Sequence, residues 1–75
     1  MKFNVGVFDN QRNRTILEGA RTDQNGIFVI LEKFTALDPS GRNQFLRDVI
    51  GLGVAAYRSE DDDGELHYSI TAMKL

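Results

Sequence analysis

Seventy-five residues, 41% hydrophobic, with nine bases against eleven acids and a formal charge of −2, describe one small domain spanning residues 1–75. A chain this short buries only roughly 60% of the surface its unfolded form exposes, so its core is thin and a deep pocket is not expected. It has no cysteine, which excludes a disulfide and a thiolate–zinc site, and its five phenylalanines exclude a disordered chain.

In chain order, residues 2–8 alternate, with Phe3, Val5 and Val7 on one side and Asn4 and Gly6 on the other, as in a strand with one buried face. Asp9, Asn10, Gln11, Arg12 and Asn13 form a polar turn. Residues 14–21 alternate less cleanly around Ile16 and Leu17, and Gly19 marks a bulge or twist. Asn25-Gly26 reads as the left-handed turn of a tight hairpin, with positive φ at Gly26. The five apolar residues 27–31 then read as a central strand covered on both faces.

One helix is expected after Asp38, which caps free N–H groups, and Pro39, which suits the first helical position. Phe45, Leu46, Val49 and Ile50 form its buried stripe, and Gly51 or Gly53 terminates it. Continuing the helix through Ala55 and Ala56 to Tyr57 would place two glycines in it, at about 1 kcal/mol each. Residues 52–58 and 66–73 are therefore read as strands, the second with Leu66, Tyr68, Ile70 and Ala72 on one face. The expected fold is α+β: a mostly antiparallel sheet of about five strands in β-β-β-α-β-β order, with one helix packed on one face.

The strongest local signal is acidic. Glu60, Asp61, Asp62, Asp63 and Glu65 hold five of the eleven acids, and without them six acids face nine bases. Such a charged turn steers a basic protein surface or is simply solvated. It does not read as an EF-hand: with Ser59 as position one, position twelve is Ile70, where a bidentate glutamate is needed. His67 is the only histidine, so no histidine cluster for a metal exists. Gly51-x-Gly53 follows a helix instead of opening one and has no lysine partner, unlike a phosphate cradle. Neither an enzyme nor a cofactor is expected.

Arg12, Arg14, Arg21, Arg42 and Arg47 are the candidate phosphate contacts of an alternative reading. In it, arginines beside Phe8, Tyr57 or Tyr68 bind single-stranded nucleic acid by charge and stacking. The negative net charge and the lack of a basic run count against it. The favoured reading is a protein–protein interaction module, an adaptor or inhibitor, acting through the acidic residues and an unpaired edge strand, for which residues 1–8 are one candidate. A third reading is the structural subunit of a homo-oligomer, a homodimer completing what the monomer cannot bury. The longest nearly uncharged stretch, residues 49–57, is half the length of a bilayer span, and no cleavable apolar leader follows Lys2. No membrane partner is expected, and a reducing cytoplasm suits a cysteine-free chain.

Overall fold

The computed structural model describes residues 1–60 and 67–75. Strand β1 (Phe3–Asp9) and strand β2 (Arg14–Thr22) form a hairpin, followed by helix α1 (Gln24–Phe34) and helix α2 (Pro39–Leu52), then strands β3 (Val54–Glu60) and β4 (His67–Lys74). The sheet order is β2-β1-β4-β3, antiparallel throughout. Strand β1 is therefore interior, which corrects its assignment as a candidate edge.

The core forms on one side of this sheet. Phe3, Val5 and Val7 of β1 and Ile70 and Ala72 of β4 meet Ile27 and Leu31 of α1 and Phe45, Leu46 and Val49 of α2. Fully burying a side chain of this kind stabilises by about 1.5–3 kcal/mol. Both helices serve this one face.

Helix α2 matches its sequence signals. The Asp38 carboxylate accepts from the Gly41 N–H at 2.8 Å, Pro39 opens the helix, and Gly53, at φ 87°, ends it with its N–H on the Val49 carbonyl. Helix α1 overturns the expected third strand, so the protein has four described strands and two helices in β-β-α-α-β-β order. A short apolar run does not itself separate a buried strand from a helix. Here Ile27, Leu31 and Phe34 recur at i, i+4 and i+7 against the core, while Val29 is 63% exposed, an outcome the covered-strand reading did not allow.

Asn25-Gly26 is likewise not a hairpin turn. Asp23 caps α1 by accepting from the Gly26 N–H at 2.9 Å, and the positive-φ glycines among the described residues are Gly19 and Gly53. Glycine is needed at 26 for space, since a Cβ there would overlap Thr22 Oγ1 and lie 2.8 Å from Thr22 Cβ.

The expected irregularity at Gly19 is a real break in register. Val5 pairs with Ala20 but Val7 with Leu17, and Phe8 then pairs with Thr15, so nine residues of β2 run beside seven of β1. Gly19 supplies the left-handed conformation of a bulge at φ 63°. The second slip brings both Ile16 and Leu17 against the core.

The glycines separate two physical roles, and their substitutions should move stability in opposite directions. Gly26→Ala is expected to destabilise by about 1–3 kcal/mol through overpacking against Thr22. Gly51→Ala, where an added Cβ meets nothing within 4 Å, is expected to stabilise by about 0.5–1 kcal/mol through helix propensity. Chemical denaturation of the two variants checks both signs.

Candidate functional site

With both helices on one side, the other side of the sheet carries no helix among the described residues. Cross-strand partners share a face, so the pairings give its rows directly. Arg21, Asn4, Met73 and Val54 form one row, and Thr15, Phe8, Ser69 and Arg58 another. Between them lie Gly6, Thr71 and Ala56, with the Gly19 bulge at the β2 side. Small residues between two bulkier rows leave a shallow groove of about 280 Å³ whose lining includes Asn4, Gly6, Gly19, Thr71, Val54 and Met73. Its floor is tight: a Cβ on Gly6 would lie 3.1 Å from Thr71 Oγ1.

The groove has an apolar rim. Val54 and Met73 face each other across β3 and β4 and are 55% and 48% exposed. Asn4 continues this row beyond Met73, over Gly19, where a Cβ would come within 3.2 Å of Asn4 Oδ1. That oxygen is the one buried side-chain polar atom among the described residues without a hydrogen-bond partner. An unpaired buried acceptor costs about 1–3 kcal/mol.

The far end of the face is polar. Asn10 Nδ2 donates to Ser69 Oγ at 2.9 Å, and Ser69 Oγ returns a bond to Asn10 Oδ1 at 3.2 Å. Beside this pair, Asn10, Gln11, Arg58 and His67 line a second, open depression of about 250 Å³. His67 is half-buried there and binds the hairpin turn through its backbone, the Asn10 N–H donating to its carbonyl at 2.7 Å.

Glu60 is the last residue of β3, opposite His67 in the ladder. Asp61, Asp62, Asp63 and Glu65 lie outside the described residues, as does Leu66. The arginine candidates do not converge. Arg12 lies 3.3 Å from the Asp9 carboxylate, and Arg14 and Arg21 stand at opposite ends of β2. Arg42 donates to the Leu37 carbonyl at 2.6 Å, while Arg47 is exposed on α2, behind the sheet. Two of the three expected stacking aromatics are also turned away. Tyr57 and Tyr68 pack against the core, Tyr68 edge-on to Phe34 at 4.9 Å, which leaves Phe8 alone on the helix-free face.

Among the described residues no three histidine, cysteine or acidic side chains are grouped to hold a metal. The two described carboxylates with displaced acidity, Asp9 and Asp23, are structural caps. Asp9, buried at the end of β1, is held below its ordinary value chiefly by the Arg12 amide. Burial opposes that shift, while the Gln11 amide and the Arg12 guanidinium reinforce it. Asp23 is lowered chiefly by the Gly26 amide it caps. Comparison with known protein families, curated proteins and solved structures returned no match.

The acidic residues and the arginines are legible in the sequence as charge, while the helix-free face is not. The alternation of β1 and β4 was visible. Which side the helices would cover became clear only once α1 replaced a strand.

Because the folded Asp9 value is depressed, its contribution is fully present above the ordinary value of 3.8 and is lost as pH falls through the folded value. The parent is therefore expected to lose more stability between neutral pH and about pH 3 than Asp9→Asn does. The variant should be the less stable of the two at neutral pH. Denaturant midpoints at the two pH values check this.

Proposed function

We propose that this protein is a small protein–protein interaction module, an adaptor or inhibitor, whose contact surface is the helix-free face of its sheet. The observation that carries the reading is the exposed Val54–Met73 pair beside a groove floored by Gly6, Gly19 and Thr71. Exposed apolar side chains rimmed by polar ones are the kind of surface that docks a partner. Asn4 Oδ1 adds a local reason, since a partner that turns this amide outward and donates to it recovers the cost of an unpaired acceptor.

Glu60 ends β3, and Asp61, Asp62, Asp63 and Glu65 come after it in sequence. In this reading they supply long-range attraction to a basic partner surface, while the groove supplies the short-range contact. No catalytic step or cofactor enters, and the cysteine-free composition fits work in the cytoplasm. No helix among the described residues is long and apolar enough to cross a membrane.

The test pairs two substitutions on a partner captured from the native host. Met73→Lys changes a side chain that is 48% exposed, so its effect on stability should stay within about 0.5 kcal/mol, while partner affinity falls by about tenfold or more. Replacing Asp61, Asp62 and Asp63 together by asparagine should slow association chiefly at low salt, with dissociation unchanged. Partner affinity indifferent to Met73→Lys would remove the face from the reading. Binding of a random single-stranded oligonucleotide that tightens in the triple variant would transfer the function to nucleic acid.

A further inference from the structure

The two edges of the sheet differ in how they are protected. Strand β2 carries two register slips and the exposed charges Arg14, Glu18 and Arg21, devices that keep a strand edge from pairing with another chain. Strand β3 has none of these over its first half. Its register with β4 is unbroken for seven residues, it contains no proline, and Val54, Ala55, Ala56 and Tyr57 carry no charge. Among the described residues it pairs with β4 alone.

The direction of its backbone groups follows from one hydrogen bond. Lys74 N–H donates to the Gly53 carbonyl at 2.8 Å, so that pair is of the hydrogen-bonded kind. Antiparallel ladders alternate, which turns Ala55 and Tyr57 toward β4 and aims the N–H and C=O of Val54 and Ala56 at the open edge. Exposed apolar groups accompany them: Leu52, at the end of α2, is 78% exposed and Val54 is 55% exposed.

We propose that β3 pairs antiparallel with β3 of a second copy of this chain, about a two-fold axis at Ala56, joining two four-stranded sheets into one. A two-fold contact requires a surface that complements itself, and the register centred on Ala56 provides one. With the axis at Ala56, the smallest side chains meet across it, and Tyr57 lies beside Ala55 of the other copy on the helix-covered side, a large residue against a small one. An axis at Val54 overlaps too little strand, because β3 begins there. An axis at Tyr57 opposes two rings that already pack on their own cores. An axis at Arg58, which is engaged within its own chain, sets two guanidinium groups face to face. The formal charge of −2 per copy adds little repulsion at physiological salt.

This pairing is independent of the partner-binding reading, and it is read by the mass of the protein alone. Light scattering across a concentration series should show a monomer–dimer equilibrium. Ala56→Pro removes an N–H that the native sheet does not use, a position where an edge strand tolerates proline. It should weaken dimerisation by at least about tenfold while circular dichroism stays as in the parent. A second variant holds even if that one unfolds. Ala56→Cys places a single thiol in a cysteine-free chain, and the two axial Cα atoms would be about 5.5 Å apart, within disulfide reach. Mild oxidation should give a covalent dimer from Ala56→Cys and none from Thr71→Cys, on the same face but in the interior strand β4. A parent that stays monomeric at every concentration would overturn the proposal. So would Ala56→Cys and Thr71→Cys cross-linking equally, or a dimer that a folded Ala56→Pro variant leaves intact.

Discussion

Everything in this fold turns on the buried side of β1. Phe3, Val5 and Val7 lie in an interior strand, bonded to β2 on one side and β4 on the other, and their side chains need a cover that the sheet cannot provide. Two helices, of eleven and fourteen residues, are what the chain supplies between its two hairpins. They suffice for one face. With this face covered, the other is left to glycine, threonine, asparagine and a few exposed apolar side chains, and the asymmetry of the molecule follows from that shortage of material.

The helices are set onto the sheet by the same short device. Asp23 accepts from Gly26 and Asp38 accepts from Gly41, each three residues on. In both cases the glycine lies under the residue before the cap: a Cβ would come within 2.8 Å of Thr22 Cβ in α1 and within 2.8 Å of Leu37 Cδ2 in α2. The missing side chain lets the incoming chain lie close over the first helical turn. This matters most for α1, which starts after a single residue beyond β2. Thr35 completes the link between the helices, its N–H and hydroxyl both directed at the Leu31 carbonyl, while the hydroxyl also accepts from the Leu37 N–H.

The exposed side of the protein is organised by what the sheet does at its margins. The register slips of β2 bring Ile16 and Leu17 together onto the core. Strand β3 keeps an unbroken register with β4, is apolar in its first half and adjoins the groove through Val54. Partner contact and self-association would thus use neighbouring surfaces by different means, side chains on the face and backbone groups at the edge. That division keeps the two separable in principle, because a strand presents its side chains and its hydrogen-bonding groups in perpendicular directions.

By itself, the sequence determined the elements whose signals are local. Alternation in β1 and β4, the Asp38–Pro39 start, the stripe of Phe45, Leu46 and Val49 and the irregularity at Gly19 were all legible, because a cap, a period or a missing Cβ acts within a few residues. Residues 27–31 were not. Their apolar run fits a buried strand as well as a helix, and the Asn25-Gly26 pair spoke for a turn, although Asp23 to Gly26 has the same spacing as Asp38 to Gly41. The tertiary structure decided that case, since a helix lets Ile27, Leu31 and Phe34 share one side against β1 while Val29 goes to water. It also decided strand order, and with it the position of β1 inside the sheet and β3 at its edge. Pairing between distant strands depends on which faces the helices cover, and that is a property of the packed chain, not of any segment of it.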